Sequence, residues 1–285
     1  MLNNIATSNI ISSIFSKNTL LYNGKKDLFL TTLLQCESIN IIDSPSQPFS
    51  ILLSDNPIDY SQTSIKNSLM YHVNSLILFH KEPPQALKKE DKAILDKKLK
   101  NSYRLFFSKD IEKSWGLATI EKNINIEYGV IRIDEKDKNK NVCVVNLNKD
   151  NGIQNLYQHI KNTIIDCDLI DAHTDGDEVL KILSQYKICI IPHDTYDALL
   201  AASFGGLVYT SSSQIDKSIS NIAYIKDYNT INDRLKNDLN QWDNINSLLK
   251  QNQSYIHDKY NIDKFYSEFN NICTSISRKA FTYET

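Results

Sequence analysis

Strand-like apolar runs alternate with helix-like patterns along nearly the whole of this 285-residue chain. The apolar runs are short and bounded by Pro, Gly and polar clusters, as buried strands are, and the stretches between them have helical periodicity. Such alternation is typical of βαβ units, in which each strand pairs in parallel with another after a helical crossover. We therefore predict an α/β protein.

The strands fall into two series, followed by a helical tail. The first predicts strands at Thr19–Tyr22, Ile39–Ile42, Phe49–Leu53, Leu76–His80 and Tyr103–Ser108, with helices at Asp27–Gln35, Ser61–His72 and Ala86–Leu99. The second predicts strands at Ile124–Tyr128, Val142–Leu147, Asp168–Ala172, Lys187–Pro192, Leu207–Thr210 and Ile222–Ile225, with helices at Ile153–Ile165, Glu178–Gln185 and Tyr196–Phe204. From Asn232 onward the pattern suits two or three amphipathic helices, with Ile245, Leu248, Leu249 and then Phe265, Phe269, Ile272 and Ile276 turned inward. We expect two Rossmann-like domains facing each other across a cleft, at 1–117 and 118–255, and a helix at 256–285 that crosses back.

The composition excludes several classes of protein. A hydrophobic fraction of 41% and a net charge of -2 are ordinary for a globular chain and give no strong attraction to nucleic acid. No apolar run approaches the roughly 20 residues that span a bilayer, and the N-terminus lacks the basic region of a signal peptide. Five scattered cysteines without a C-x-x-C pair argue against a disulfide framework or a zinc site, so we expect a cytoplasmic protein.

His80 closes the apolar run Leu76–His80, and Pro83 and Pro84 follow it. Because proline cannot donate to a strand ladder, the strand should stop near His80. Ligands of open α/β sheets gather beyond the carboxyl ends of the strands, where a histidine is well placed for chemistry. The alternative is a structural or solvated histidine.

A second candidate site follows the strand that stops at Pro192. Asp194 or Thr195 can cap the helix that begins near Tyr196, and this helix ends at Gly205. Its N-terminus should lie at the carboxyl end of the strand, where the helix dipole and N–H groups favour a phosphate. The alternative is an ordinary αβ unit whose loop binds nothing.

Taken in order, these segments resemble the nucleotide-sugar-dependent glycosyltransferases of GT-B architecture, especially the retaining group called glycosyltransferase family 1/4. That group has a strand ending in His, a strand ending in Ser, an Asn-Gly-Val-type turn, a Gly-Arg…Lys-Gly segment and a Pro-Ser-x-x-Glu loop before a helix ending in Ala-x-Gly. The matching stretches are His80, Ser108, Tyr128-Gly129-Val130, Asn146–Gly152 and Pro192–Gly205. The resemblance covers roughly 51–227 and implies a metal-independent enzyme that moves a sugar from a nucleotide diphosphate donor to an acceptor.

The resemblance also implies roles for individual residues. His80 and Asp197 would be catalytic. The N-terminal domain would bind the acceptor through Asn56, Lys81 and Ser108. The second domain would bind the nucleotide sugar through Gly129, Asn148, Lys149, Gly152, Thr195, Tyr196 and Ala198. We expect no cofactor beyond the donor substrate and no bound metal, and we predict no particular oligomeric state.

Several departures from the family keep alternatives open. The second glutamate of the family is absent, since Leu200 or Ala201 stands there, and this favours an altered donor or a non-catalytic sugar-nucleotide or glycan-binding relative. The stretch 81–113 carries ten Lys/Arg against six Asp/Glu. It is either a solvated helix face or a contact for an anionic acceptor: a lipid headgroup at the inner membrane face, a phosphorylated glycan, or DNA, as in phage-type DNA-base glycosyltransferases.

Overall fold

The computed structural model describes residues 18–23, 27–42, 51–54, 76–80, 103–115, 123–133, 137–147, 149–164, 166–171, 176–212, 216–225 and 227–281. Within these ranges the chain forms two parallel sheets and eight α-helices, so the predicted α/β class is confirmed. The chain divides into two compact units. The first comprises 1–25, 33–127 and 263–285, and the second comprises 26–32 and 128–262. The domain limits drawn from the sequence stay predictions.

The first unit contains a six-stranded sheet in the order β2-β1-β3-β4-β5-β6, with every described pair parallel. Its strands are β1 (Asn18–Asn23), β2 (Ile39–Ile42), β3 (Ile51–Ser54), β4 (Leu76–His80), β5 (Tyr103–Phe106) and β6 (Asn123–Asn125). Helix α1 (Leu28–Leu34) spans the division between the units, and α2 (Lys109–Trp115) follows β5. The last helix, α8 (Ile262–Phe281), also belongs to this unit except for its first residue.

The second unit contains a five-stranded parallel sheet in the order β11-β10-β9-β7-β8. The strands are β7 (Lys140–Asn146), β8 (Cys167–Asp171), β9 (Tyr186–Ile190), β10 (Leu207–Thr210) and β11 (Ile222–Tyr224). The helices are α3 (Asn151–Lys161), α4 (Gly176–Leu183), α5 (Thr195–Ser203), α6 (Ile231–Asn240) and α7 (Trp242–Lys259), with a 3-10 turn at Tyr228–Thr230.

The central strands of the second sheet are buried because helices cover a parallel sheet on both faces. Val142, Val144, Ile188 and Ile190 are each inaccessible to solvent. Helix α5 is buried along its whole length, and its small Ala and Leu side chains suit close packing against β10 and α7. The five cysteines are buried and unpaired, and burial raises the pKa of Cys167 to about 12, so its thiol stays protonated.

The structure agrees closely with several predicted elements. Strands β2, β4 and β10 have the predicted limits, and the tail from Asn232 onward is helical. Phe265, Phe269 and Ile276 are buried on α8 as expected, but Leu248 on α7 is 52% exposed, contrary to its predicted inward position. The predicted helices at 61–72 and 86–99 lie outside the described residues.

One predicted strand belongs to the other series. The run near Ile124 was expected to open the second series, but β6 pairs with β5 through Leu105 and Ile124 and completes the first sheet. It is also shorter than predicted: Ile126 to Tyr128 lie beyond the strand, although the Ile126 N–H still donates to the Phe106 carbonyl at 2.9 Å. Sequence pattern identifies strands without identifying their partners, and this is the reason for the error.

We predict that Leu235→Ala destabilises the protein by about 2–5 kcal/mol, because Leu235 is fully buried in the core of the second unit and its loss leaves a cavity. Leu248→Ala is the matched control: the same change at a half-exposed helical position should alter the free energy of unfolding by less than about 0.5 kcal/mol. Urea denaturation measures both, and equal losses would contradict the assigned core.

Candidate functional site in the second sheet

The strand order of the second sheet reverses between β7 and β9. From β7 the chain moves outward to β8 and then returns to β9 on the other side of β7. Crossovers that leave two neighbouring strands in opposite directions open a crevice beyond their carboxyl ends, and ligands of open α/β sheets bind there. The functional site is therefore expected beside the segments that follow Asn146 and Ile190.

A pocket of about 470 Å³ lies at this crevice. Helix α3 supplies one wall, the loop after β9 supplies another, and the 3-10 turn supplies Tyr228. The apolar part of the lining comes from Ile153, Leu156 and Pro192, and polar groups stand around it. An apolar floor with a few polar groups is the usual composition of a small-molecule site. The complete lining is Asp150, Gly152, Ile153, Asn155, Leu156, His159, Pro192, His193 and Tyr228.

The loop between β7 and α3 is held by Asn146 at the end of the strand. The Asn146 side chain accepts from the Asp150 N–H at 2.7 Å and donates to the Asp150 carbonyl at 3.0 Å. Lys149 has a φ of 55°, a left-handed conformation that costs a non-glycine residue about 1–2 kcal/mol. The loop is thus fixed in a strained shape that exposes Lys149 beside the start of α3.

Asp150 caps helix α3. Its Oδ1 accepts from the N–H groups of Gly152 at 2.6 Å and Ile153 at 3.3 Å. A Cβ built at Gly152 would come within 3.0 Å of this oxygen, so a side chain at 152 would displace the cap. Glycine at 152 therefore permits the close approach of the capping carboxylate.

The loop between β9 and α5 is organised in the same way. Asp194 is the N-cap of α5, and its carboxylate accepts from the Asp197 N–H at 2.9 Å. Of the two capping residues predicted from the sequence, Asp194 is the one used. The Thr195 hydroxyl lies 2.6 Å from the Ser212 hydroxyl, which ties the first turn of the helix to the segment after β10.

The hydrogen bonds of Ser211 fix the tautomer of His193. The Ser211 hydroxyl donates to the Pro192 carbonyl, which can only accept. The contact of 3.1 Å between Ser211 Oγ and His193 Nδ1 must then have the histidine as donor. Neutral His193 consequently carries its proton on Nδ1 and keeps Nε2 as an acceptor at the edge of the pocket.

Two further side chains line the pocket from different elements. Burial raises the pKa of Tyr228 above its usual value. His159 Nε2 lies 3.1 Å from Asn232 Nδ2, and the same amide donates to Thr163 at 3.1 Å. Asn232 on α6 therefore contacts the imidazole of His159 on α3.

The structure places the donor-binding residues predicted at 195–198 on the first turn of α5. All four are buried, and Asp197 is 6% exposed. The Tyr196 hydroxyl lies 2.7 Å from Thr32 Oγ1 and 3.2 Å from the Gly129 carbonyl oxygen, and its ring packs on Phe29. Gly129 and Tyr196 are thus brought together inside the second unit, where their contacts position α5.

Of the predicted site residues that the structure describes, only Gly152 is among those that line this pocket. Ser108 caps α2, where its Oγ accepts from the Ile111 N–H at 3.1 Å. His80 is the last residue of β4, at the carboxyl end of that strand. Asn56, Lys81 and Asn148 lie outside the described residues. The sequence analysis did not predict three residues that line the pocket, His159, His193 and Tyr228. His193 could have been predicted, because it directly follows Pro192 at a strand end. No local sequence pattern indicates that His159 or Tyr228 lies at a pocket.

No metal-binding cluster is found in the described part of the chain, where no three His, Cys, Asp or Glu residues group together. Asp166 and Asp168, which have the spacing of a metal-binding pair, are not grouped in this way. Asp168 contacts Lys140 at 3.3 Å and accepts from the Tyr186 hydroxyl, and this hydrogen bond lowers the pKa of the carboxyl.

None of the described helices is both long enough and apolar enough to cross a bilayer.

No family model matches the sequence, and no curated protein matches it. Solved structures do match, and they share the GT-B fold, which confirms the predicted fold. Two of them are structures of HepE from Anabaena. The complex with UDP-glucose matches with a TM-score of 0.61 at 9% identity, over 90% of this chain and 99% of that one. The complex with UDP and glucose matches with a TM-score of 0.62 at 8% identity, over 91% and 100%. TarM matches with a TM-score of 0.52 at 11% identity, over 78% of this chain and 54% of TarM.

We predict that Lys149→Gly is more stable than Lys149→Ala by about 1 kcal/mol. Both changes remove the same charge, but only glycine adopts a φ of 55° without steric cost. Thermal or urea unfolding of the two variants measures the difference. Equal stability, or a more stable alanine variant, would show that the backbone at 149 is unstrained.

Proposed function

We propose that the protein is a glycosyltransferase that moves a sugar from a nucleotide diphosphate sugar to an acceptor. The observation that carries this proposal is the pocket beyond the carboxyl ends of β7 and β9, at the reversal of strand order, in a chain with GT-B architecture. HepE, which shares the fold, was solved with UDP-glucose and with UDP. A uridine nucleotide is therefore the first donor to test.

The lining of the pocket suits a nucleoside. Ile153, Leu156 and Pro192 offer apolar surface for a base, and Tyr228 adds an aromatic ring. His159 and His193 provide nitrogen atoms whose orientation is fixed by their partners outside the pocket. A volume of about 470 Å³ falls within the ordinary range for small-molecule pockets.

We first expected the N–H groups and dipole at the start of α5 to hold the diphosphate, but the capped helix ends require another source of positive charge. The N–H groups of Gly152, Ile153 and Asp197 already donate to the carboxylates of Asp150 and Asp194. Two capping carboxylates repel an anion, so these helix ends are poor phosphate sites while the caps are in place. We assign the cationic role to Lys149, which is exposed beside the start of α3.

The remaining roles follow the family resemblance. Asp197 would accept hydrogen bonds from sugar or ribose hydroxyls, and His80 would assist transfer from the end of β4. Asn56, Lys81 and Ser108 would contact the acceptor, and Asn148 would flank the nucleotide. No metal is required in this proposal, since cationic side chains would stabilise the leaving diphosphate. Glycans, lipid-linked sugars and DNA remain alternative acceptors.

One observation favours a second candidate, a relative that binds sugar nucleotides without catalysis. The second glutamate of the family is replaced by Leu200 or Ala201, and both side chains are buried in the core. No carboxylate therefore stands at that position to contact the donor. Turnover, and not binding, separates the two candidates.

We predict that Tyr228→Ala weakens UDP binding about tenfold or more, because the aromatic wall of the pocket is lost. Tyr224→Ala is the matched control, since Tyr224 is 48% exposed on β11 and does not line the pocket. Titration calorimetry of the full chain gives both dissociation constants. Equal weakening by the two variants, or no UDP binding by the wild type, would exclude this pocket as the donor site.

We predict that Asp197→Asn retains affinity for UDP but lowers affinity for UDP-glucose, because a carboxylate accepts hydroxyl hydrogen bonds and repels phosphate. Release of UDP from UDP-glucose, with and without candidate acceptors, should fall in parallel. Wild type that binds UDP-glucose without ever releasing UDP would support the non-catalytic candidate. Identical behaviour of wild type and Asp197→Asn would remove Asp197 from the site.

A further inference from the structure

A second cavity lies at the opposite edge of the second sheet, beside the amino ends of β7 and β9. It has a volume of about 320 Å³ and is bounded by the segment before β7, the start of β9, the end of α5 and the first turns of α7. β9 has five residues, and a strand rises about 3.3 Å per residue. This cavity is therefore separate from the pocket beyond the carboxyl ends of the strands.

Three lysines from three different segments line this cavity. Lys138 precedes β7, Lys187 is the second residue of β9, and Lys250 is on α7. The Lys138 ammonium donates to the Ser184 carbonyl at 3.2 Å, and the Lys187 ammonium stands 6.0 Å from the centre of the Trp242 ring. Two carboxylates, Asp137 and Asp243, also line the cavity, so the three ammonium groups exceed the carboxylates by one charge. Each ammonium has three N–H donors, and an excess of such donors suits a phosphate.

Hydrogen-bond acceptors stand on the helix that faces these lysines. Asp243, Asn246 and Gln253 line the cavity from one face of α7, since residues three and four apart are neighbours on a helix. Carboxylates accept from hydroxyl groups, and amides both accept and donate. The same cavity thus combines groups for an anion with groups for sugar hydroxyls.

Gly205 lines the cavity where α5 ends. It has a φ of +74°, a conformation that favours glycine, and a Cβ built there would lie 3.1 Å from Gln253 Oε1. A side chain at 205 would therefore crowd Gln253, one of the polar groups that face the cavity.

We propose that this cavity binds a monosaccharide phosphate, with the lysines around the phosphate and the α7 side chains on the hydroxyls. The volume lies at the lower end of the range for small-molecule pockets and favours a single phosphorylated sugar over a nucleotide sugar. The mixed lining distinguishes the ligand from a simple anion. This inference does not depend on the glycosyltransferase proposal, because the cavity lies at the amino ends of the strands and the proposed donor pocket lies beyond their carboxyl ends.

Trp242 reports on this cavity directly. The chain has two tryptophans, Trp115 and Trp242, so Trp115→Phe leaves one tryptophan, at the wall of the cavity, which can be excited selectively over the tyrosines. Glucose 6-phosphate, inorganic phosphate and glucose are titrated into this full-length variant up to about 10 mM, which detects millimolar dissociation constants. We expect a saturable change with glucose 6-phosphate, a weaker response to phosphate and none to glucose.

Lysine substitutions then locate the site. Lys250→Ala and Lys187→Ala, each in the Trp115→Phe background, should raise the dissociation constant about tenfold or more, as expected for loss of a charged hydrogen bond. Lys181→Ala, at an exposed position on α4, is the matched control and should change nothing. Calorimetry supplies a second readout for Lys187→Ala, whose loss also alters the tryptophan itself. Absence of saturation, equal affinity for phosphate and glucose 6-phosphate, or equal affinity in Lys250→Ala and wild type would overturn the proposal.

Discussion

Parallel strand pairing is the constraint on which both sheets depend. A parallel strand must return through a crossover before it can pair again, so every loop that leaves a strand lies at one edge and every loop that enters lies at the other. In the second unit this rule brings the segments after Asn146 and Ile190 together at the carboxyl edge. It also brings Lys138 and Lys187 together at the amino edge. Two different pockets thus arise from one sheet.

Helix α5 is buried in the core and begins just after Pro192 and His193 of the pocket. All nine of its residues are buried, and polar contacts hold its start. Asp194 caps the helix, Thr195 contacts Ser212, and the Tyr196 hydroxyl reaches Thr32 and Gly129. Because these contacts are satisfied inside the protein, they fix the orientation of the first turn. Asp197, in the same turn, is 6% exposed.

Local patterns in the sequence predicted the elements well where the physical signal is local. The limits of β4 and β10 follow from short apolar runs between breakers, and the α5 cap follows from Asp194 before an apolar helix. The partner of β6 depends on the arrangement of other strands, and the sequence pattern contains no record of it. The exposed position of Leu248 was missed because an amphipathic pattern defines a face only to within a residue or so.

The candidate site was predictable only in part, for a related reason. A strand end identified the region after Pro192, since a loop after a buried strand is a local feature. The region after Asn146 was identified through the family resemblance. His159 and Tyr228 line the pocket from a helix and a 3-10 turn that are far apart from each other along the chain. The tautomer of His193 depends on Ser211, which follows another strand. Such details depend on tertiary contacts.

The route of the chain through the two units has a consequence for biosynthesis. The first unit includes residues 263–285, and Phe265, Phe269 and Cys273 of α8 are almost completely buried there. The Phe265 ring stacks on Phe269 with 5.8 Å between ring centres, and its centre is 6.5 Å from that of Phe107. The second unit includes residues 26–32, so Thr32 cannot contact the Tyr196 hydroxyl until residue 196 has been translated. On the ribosome, the first sheet therefore lacks part of its core until α8, which is translated after the second unit, has emerged. The order of synthesis and the order of completion are reversed, and the early sheet must tolerate an exposed apolar face in the interval.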